Sequence, residues 1–299
     1  MLTQIALLKK YGLAVRGNLG QHLLVDSNIQ RKIVDLLGED TSEPVLEIGP
    51  GLGALTAHLL ERGFSVTAVE KDRRFVEILE REFGEKGGGR FRLIASDILD
   101  CDLEKIFTGV KDKNKKIKVL GNLPYYITAP ILFRLLEAGG SISRAVLTVQ
   151  KEVAARFVAS PGTKDYGRLS LAVRYSADVR HAFDVSPGCF TPRPEVDSST
   201  VVLDFYPSKS SCEKGFDRFL FHLVQVAFGQ RRKTLIHNLM GDPSLEITRE
   251  ELLGFFERKG ILPTVRGEEL FLKDYLALAK GLRKFQRTKS GDGSETKGR

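Results

Sequence analysis

Cysteine and histidine are scarce in this sequence of 299 residues. The three cysteines, Cys101, Cys189 and Cys212, lie far apart without C-x-x-C spacing, and the five histidines follow no metal-ligand pattern. These absences argue against a disulfide framework and a structural zinc site, and they fit the reducing cytoplasm. We therefore expect no bound metal and a cytoplasmic location.

Long apolar runs are also absent. The N-terminal stretch MLTQIALLKKYGL has too short an apolar core for a signal peptide, and no run is long enough to span a membrane. The composition, 42% hydrophobic and 28% charged, is typical of a soluble globular protein. The net charge of +8 favours polyanionic partners, nucleic acid first, with solubility alone as the plainer explanation.

Strand patterns and helical patterns alternate over the first two thirds of the chain. The strand patterns are PVLEIG, FSVTAVEKD, FRLIASDI, IKVLGNLP and AVLTVQ. Such alternation predicts a Rossmann-like α/β fold, with a mostly parallel sheet and helices on both faces. Two later strands, in VRHAFDVSPGCF and SSTVVLDFYP, are expected to extend or edge this sheet.

The composition and the pattern of the sequence change after Pro207. A polar linker, PSKSSCEKG, is followed only by helical patterns, and the final residues are polar and rich in glycine. We therefore predict an α/β domain over residues 1–207, a small all-helical domain over residues 210–285, and a disordered tail over residues 286–299.

The stretch LEIGPGLGALT indicates a strand, a glycine-rich turn and the start of a helix. Gly49, Gly51 and Gly53 permit a tight turn and a close approach of a ligand to the backbone. By itself this motif is weak evidence for a ligand site. It also fits a purely structural turn, or the dinucleotide site of an NAD-dependent oxidoreductase with Ala54 in the last position.

Three acidic residues stand around this turn in the predicted sheet. Glu47 just precedes it, where a carboxylate would repel a pyrophosphate but tolerate an ammonium or sulfonium group. Glu70 ends the second strand, where a carboxylate can accept ribose hydroxyls, and Asp97 ends the third, where it can accept from an adenine amine. Each could be a helix cap or a surface residue. Together they favour S-adenosyl-L-methionine as the ligand.

The fourth predicted strand ends in Asn122-Leu123-Pro124-Tyr125. The amide oxygen of Asn122 and the carbonyl of Pro124 can accept both N–H bonds of an adenine N6 amine, which frees its lone pair for a methyl donor. The Tyr125 ring can stack on an unpaired or flipped base, a contact worth roughly 1–3 kcal/mol. The structural alternative is a Pro-Tyr turn that closes the strand.

These motifs resemble those of the ribosomal RNA adenine dimethyltransferases, the KsgA family of class I S-adenosylmethionine-dependent methyltransferases. The resemblance covers residues 10–285 and is greatest to the bacterial enzymes of the small subunit. Its motifs are GNLGQHLLVD, VLEIGPGLGALT, AVEKD, SDILD, GNLPYYITAPILF, VQKEVAARFVASPGTKDYGRLSL, FTPRPEVDSSTV and AFGQRRKTL.

The resemblance implies dimethylation of N6 in two adjacent adenosines of the 3′-terminal hairpin loop of 16S rRNA. It implies a role in biogenesis of the small ribosomal subunit, with the assembling 30S subunit as partner. A monomer is the default expectation, and the lack of a long apolar run predicts no membrane partner. It assigns the target amine to Asn122 and Pro124, and the two faces of the target base to Tyr125 and Phe190. Tyr126 receives no catalytic role.

The same resemblance assigns cofactor binding to Gln21, His22, Leu24, Gly49, Gly51, Glu70, Asp97, Ile98 and Asn122. One departure bears on this set, because the family's usual GQNFL reads GQHLL here. His22 therefore stands where the family has an asparagine, and Leu23 where it has a phenylalanine.

Clustered cations suggest how RNA would be held. Arg231, Arg232 and Lys233 in FGQRRKTL are expected to contact phosphates from a helix start in the helical domain. Arg168 and Arg193 are further candidates. The alternative is a solvated helix face.

Three other functions compete with small-subunit dimethylation. An Erm-type 23S rRNA methyltransferase shares the motifs, although YGRLSL and FGQRRKTL favour the small-subunit type. A binding module that acts as a checkpoint in ribosome assembly is a second possibility. An NAD-dependent oxidoreductase is the third, and it leaves Glu47 and the Asn122–Tyr125 stretch unexplained.

Overall fold

The computed structural model of the protein describes residues 3–15, 21–108, 116–207 and 215–286, so the predicted tail beyond residue 286 lies outside the described residues. The helices are α1 Gln4–Lys10, α2 Ser27–Asp35, α3 Ala54–Glu61, α4 Arg73–Leu79, α5 Leu103–Thr108, α6 Thr128–Glu137, α7 Lys151–Val158, α8 Arg168–Ser176, α9 Phe216–Ala227, α10 Leu235–Met240, α11 Arg249–Arg258 and α12 Leu272–Leu282. The strands are β1 Leu23–Leu24, β2 Val45–Ile48, β3 Val66–Glu70, β4 Phe91–Ala95, β5 Ile117–Asn122, β6 Ile142–Gln150, β7 Ala177–Val185, β8 Phe190–Thr191 and β9 Ser198–Phe205. Across these described ranges, no helix has the length and apolar character needed to cross a membrane.

The chain divides into two compact units. The first comprises Met1–Ala159 and Ala172–Ser210, and the second comprises Ser160–Leu171 and Ser211–Arg299. Residues 160–171, which the sequence pattern leaves in the first domain, thus group with the C-terminal helices. One contact that ties them there is a hydrogen bond of 2.8 Å from the buried Tyr166 hydroxyl to the Leu270 carbonyl.

A seven-stranded sheet forms the centre of the first unit, in the order β4-β3-β2-β5-β6-β9-β7. The five strands from β4 to β6 are parallel to their neighbours, whereas β9 pairs antiparallel with both β6 and β7. All four residues of β2 are buried, as expected for a central strand that is covered on both faces. The predicted mostly parallel α/β sheet is confirmed, and the two later strands extend it as expected.

A two-stranded antiparallel pair lies outside this sheet and is not apparent from the sequence. Leu23 pairs with Thr191 and Leu24 with Phe190, so β1 and β8 join segments that are more than 160 positions apart in sequence. Neither strand exceeds two residues, which is too short for a periodic pattern to reveal. The pairing fixes the GQHLL segment against the FTPRP segment.

The helix that follows FGQRR is shorter in the structure than the sequence pattern predicts. The predicted helix includes Arg231, Arg232 and Lys233, but these residues occupy a turn and α10 begins only at Leu235. Thr234 caps this helix, because its hydroxyl accepts from the His237 N–H at 3.3 Å.

Candidate active site

A cavity of about 890 Å³ opens at the carboxyl ends of the parallel strands β2, β3, β4 and β5 in the first unit. This volume falls in the range of roughly 300–1,000 Å³ that is typical of small-molecule sites. The predicted site residues that line the cavity are Gln21, His22, Leu24, Gly49, Gly51, Glu70, Asp97, Ile98, Asn122, Pro124 and Tyr125. Side chains from several distant motifs therefore share one cavity.

The remaining predicted site residues do not line this cavity. Phe190 is 3% exposed and packs in the core cluster that also contains Leu24. Arg193 is exposed in the first unit. Arg168, Arg231, Arg232 and Lys233 belong to the second unit.

Glu70 joins the glycine turn to the residues that follow β3, because it accepts from three backbone N–H groups. One carboxylate oxygen accepts from Gly51 at 3.1 Å, and the other accepts from Lys71 and Asp72 at 2.9 Å each. Burial raises the pKa of Glu70, and these hydrogen bonds oppose that effect. Gly51 needs to be a glycine because its φ is +59° and an added Cβ would lie 2.8 Å from the Leu23 side chain.

Replacement of Gly53 by alanine is expected to lower the free energy of unfolding by about 2 kcal/mol. The φ of Gly53 is +80°, and an added Cβ would run into the Phe83 ring and approach Leu79 to 3.2 Å. Gly49→Ala is the matched control, because Gly49 has φ +66° but no atom within 4 Å of the added Cβ. Urea unfolding should show the larger loss for Gly53→Ala, and equal losses would contradict the packing argument.

Glu47 is a carboxyl group buried in the sheet, 1% exposed, at the wall of the cavity. The Thr56 hydroxyl donates to its Oε2 at 2.6 Å. Burial raises the pKa of Glu47 to about 7, the bonds from Thr56 oppose this, and the charge of Glu70 adds to it. Near neutral pH the group is therefore close to half ionised, and a cation in the cavity would favour its charged form.

The side-chain oxygen of Gln21 is a hydrogen-bond acceptor to which no described residue donates. The Nε2 of Gln21 donates to Asp72 Oδ2 at 2.9 Å, which fixes the orientation of the amide. Its Oε1 is buried and has no hydrogen-bond partner among the described residues. A buried acceptor that lacks a donor costs free energy, so this atom suits an N–H group of a ligand in the cavity.

Asp97 and Ile98 stand at the start of a loop that is held in place on both sides. Asp97 accepts from the Leu99 N–H at 2.9 Å and from Lys71 Nζ at 2.7 Å, and the bond from Lys71 is the main reason that its pKa is lowered. The Ile98 carbonyl accepts from Arg134 Nη1 at 2.8 Å.

Arg134 is a site-supporting residue that the sequence patterns did not identify. Its guanidinium also donates to the carbonyls of Leu99 and Cys101, so a single rigid fork binds three carbonyls of the same loop. The available signal was an arginine inside the apolar helical pattern APILFRLLEAG.

The Asn122 amide is oriented by a backbone carbonyl. Its Nδ2 donates to the His22 carbonyl at 2.9 Å. Since a carbonyl can only accept, the nitrogen must face His22 and the oxygen Oδ1 must face away from it. No described residue donates to Oδ1 through a side-chain hydrogen bond, which leaves it available as an acceptor beside the cavity.

The Pro124 carbonyl already has two donors. The Ile127 N–H reaches it at 3.2 Å and the Thr128 hydroxyl at 3.0 Å. A carbonyl oxygen has two lone pairs, so an incoming amine has to displace one of these donors. The Thr128 hydroxyl is the donor that can leave by rotation about a single bond.

Tyr125 is supported on its hydroxyl and on its ring. The hydroxyl is 2.7 Å from the hydroxyl of Ser198, a buried residue at the start of β9 that the sequence patterns did not identify. The His22 ring stacks on the Tyr125 ring at a centroid distance of 5.4 Å and an angle of 26°. The Nδ1 of His22 lies 2.8 Å from the Pro192 carbonyl and therefore carries the proton. His22 thus contacts Asn122 and Tyr125, which line the cavity, and Pro192, which follows β8.

Comparisons with known proteins bear on the family of this chain. The model of the family "Ribosomal RNA adenine dimethylase" matches residues 12–282. The ribosomal RNA small subunit methyltransferase A of Lachnoclostridium phytofermentans is 40% identical over 277 residues, which cover 92% of this chain and 94% of the relative. The protein of the same name from Streptococcus pneumoniae is 40% identical over 282 residues, which cover 93% and 95%.

Solved structures show the same fold. A dimethyladenosine transferase from Plasmodium falciparum is similar with a TM-score of 0.72 and 26% identity, covering 88% of this chain and 98% of that one. The 23S rRNA methyltransferase ErmE has a TM-score of 0.62 at 23% identity, covering 87% and 99%, which is a likeness of fold alone.

The predicted class I methyltransferase fold and the predicted resemblance are both confirmed, and the protein is a methyltransferase. These findings set aside the alternative of an NAD-dependent oxidoreductase. The family model covers the glycine turn, the Asn122–Tyr125 stretch and most of the second unit, so the match is not limited to the sheet. The chain belongs to the ribosomal RNA adenine dimethylase family.

Proposed function

We propose that this protein transfers methyl groups from S-adenosyl-L-methionine to N6 of two adjacent adenosines in the 3′-terminal hairpin loop of 16S rRNA, twice per adenosine. It acts as a cytoplasmic monomer on the assembling small subunit. The observation that carries the proposal is Asn122, whose Oδ1 is available beside the cavity because its Nδ2 is bound to the His22 carbonyl. The small-subunit target is supported by relatives of that name at 40% identity.

The residues of the cavity fit S-adenosyl-L-methionine. When bound, this cofactor supplies an electrophilic methyl group. Glu70 is proposed to accept from its ribose hydroxyls, and Asp97 from its adenine amine, with Ile98 against the adenine ring. The buried, partnerless Oε1 of Gln21 and the carboxyl of Glu47 suit its ammonium group. Gly49 and Gly51, both at positive φ, allow it to approach the turn.

The target amine is held by acceptors rather than by a base. Asn122 Oδ1 accepts one N–H, and the Pro124 carbonyl accepts the other after the Thr128 hydroxyl turns away. These bonds draw the nitrogen lone pair out of the ring and orient it toward the methyl group. Bound S-adenosyl-L-methionine would supply the methyl group and leave as S-adenosylhomocysteine, and the methylated amine would release its proton to water. Tyr125, held by Ser198 and His22, supports the base by stacking. Phe190 is proposed for the other face, which requires it to move out of the core cluster where it is buried in this structure.

The phosphates of the RNA are assigned to exposed cations. Arg232 and Lys233 are exposed, whereas Arg231 donates to Glu268 at 2.6 Å and to the Lys164 carbonyl at 3.1 Å. Arg231 is therefore proposed to shape the turn as well as to contact RNA. Arg168 and Arg193 are proposed as further phosphate contacts.

RNA binding is expected to weaken as the salt concentration rises, since phosphate contacts release counterions. Replacing both Arg232 and Lys233 by alanine should weaken binding and reduce the slope of log K against log salt by about 2. Lys259→Ala, another exposed lysine of the second unit, is the charge control. Binding that does not change with the salt concentration, or an equal change per charge in the control, would contradict the assignment.

The function is tested by incubating the protein and labelled S-adenosyl-L-methionine with unmethylated small subunits and, separately, with large subunits. Mass mapping should locate dimethyladenosine at two neighbouring positions of the 16S rRNA and nowhere in the 23S rRNA. Label in the 23S rRNA would support the Erm-type alternative instead. Tight binding of small subunits by an inactive Asn122 variant would support an additional role as an assembly checkpoint.

A further inference from the structure

We infer that Tyr126 forms a second base-stacking subsite at the mouth of the cavity, and that it binds the nucleobase next to the adenine being methylated. This inference rests on the proposed function, because it concerns the neighbour of the target base. It assigns the adjacent tyrosines of the NLPYY stretch to two different bases.

The two tyrosines have opposite environments although both line the same cavity. The Tyr125 hydroxyl is bound to Ser198 and its ring is stacked on His22. Tyr126 is 65% exposed, more than any other tyrosine or phenylalanine among the described residues. No described ring stacks on it. Its exposed surface can therefore meet a planar group that arrives from solution.

The backbone holds Tyr126 at this position. It is the middle residue of a three-residue 3-10 turn, Tyr125–Ile127, which Pro124 precedes at φ −58° and which leads directly into α6. A ring on such a turn loses little backbone entropy when a base stacks on it. Isolated exposed apolar groups are common on protein surfaces, so exposure alone is not the argument. The argument is exposure at the mouth of this cavity.

A cation lines the same cavity beside the strand that supplies Glu70. The Lys71 side chain is 65% exposed, and its one ion pair within the described residues is with Asp97 at 2.7 Å. Exposed aromatic rings together with cations are the combination by which proteins bind single-stranded nucleic acid, with bases on the rings and phosphates on the cations. Tyr126 and Lys71 supply both parts, and neither residue is among those assigned to the target base.

The proposed substrate, with its two adjacent adenosines, explains why a second subsite is needed. Two adjacent adenosines cannot occupy one base pocket together, so one base stays outside while the other is methylated. Stacking on Tyr126 would keep that base ordered and set the position of the strand. Tyr126 is then a positioning residue, which favours binding of RNA rather than the transfer step itself.

Tyr126→Ala is expected to raise KM for unmethylated small subunits about ten-fold, the loss of one base stack, while kcat and the Kd of S-adenosyl-L-methionine stay within two-fold of wild type. Tyr126→Phe keeps the ring and should restore KM to near the wild-type value. A kcat loss without a KM change, or a Phe variant as weak as the Ala variant, would overturn the stacking role.

A second measurement tests whether the Tyr126 side chain interacts with the base next to the target adenine. Small subunits reconstituted with an abasic residue at one of the two adenosines leave a single target, whose methylation is then followed. The abasic residue should raise KM about ten-fold for wild type and add little to the KM of Tyr126→Ala. Equal effects on both proteins would overturn the subsite. Absence of methylation by wild type on intact small subunits would instead refute the proposed function.

Discussion

Replacement of Asn122 by alanine is expected to lower the rate of methyl transfer about 10²–10³-fold, the typical cost of removing one preorganised polar group from a reacting centre. The variant loses the acceptor Oδ1, and the lone pair of the target amine then remains delocalised in the ring. Cofactor affinity is expected to change only a few-fold, because Gln21, Glu70 and Asp97 remain. Single-turnover methylation and calorimetric titration of the cofactor separate the two effects.

Asn122→Asp is the matched variant for this experiment. It keeps the shape and one acceptor oxygen, but it replaces the Nδ2 donor, which now lies 2.9 Å from the His22 carbonyl, by a second oxygen. Two acceptors at that distance repel each other, so the side chain must rotate. The expected loss of turnover is at least as large as for alanine. Near-normal methylation by either variant would falsify the role of Asn122.

Replacement of Glu47 by glutamine is expected to raise the free energy of unfolding by about 3 kcal/mol at pH 8 and to leave it nearly unchanged below pH 4.5. The pKa of Glu47 is about 7 in the folded protein against an ordinary value of 4.5, and burial is the main cause. Between these two values the unfolded chain releases a proton that the folded protein keeps. The wild-type protein therefore loses stability as the pH rises from 4.5 to 7. Glutamine avoids this loss and still accepts from Thr56.

Glu82 is the opposite-sign control for the Glu47 experiment. Its carboxylate accepts from Lys10, from Tyr11 at 2.8 Å and from Lys86 at 3.2 Å, and these donors hold its pKa at about 2. The ionised form thus stabilises the fold above pH 4.5, so Glu82→Gln should lower the free energy of unfolding at pH 8. Urea unfolding across the pH range measures both variants. A gain for Glu47→Gln that does not depend on pH would show that burial of its charge is not the cause.

Several parts of the site were predictable from local patterns. Alternation of strands and helices predicts a parallel sheet, and the carboxyl ends of parallel strands meet at one edge. Glu70, Asp97 and Asn122 each follow or end such a strand, so their positions in the sequence were enough to bring them to one cavity. The glycine turn was predictable for the same reason, since its backbone requirement is local.

The contacts that orient these side chains were not predictable, because each joins residues far apart in the chain. Examples are the bond from Asn122 to the His22 carbonyl, the pair of Tyr125 with Ser198 and the fork of Arg134. No periodic pattern encodes such contacts, which depend on the pairing of β1 with β8 and on the packing of α6. That His22 contacts the cofactor remains a prediction. In the structure the ring of His22 stacks on Tyr125.

Periodicity and motif spacing thus determined the fold class and the set of residues at one edge of the sheet, because strand patterns and strand ends are properties of short stretches. The family was indicated by the resemblance of the motifs themselves. The tertiary structure decided the chemistry of individual groups. Burial next to Thr56 and Glu70 sets the pKa of Glu47, two local donors occupy the Pro124 carbonyl, and exposure distinguishes Tyr126 from its neighbour. Desolvation and hydrogen bonding depend on what surrounds an atom in space, and only folding brings those surroundings together.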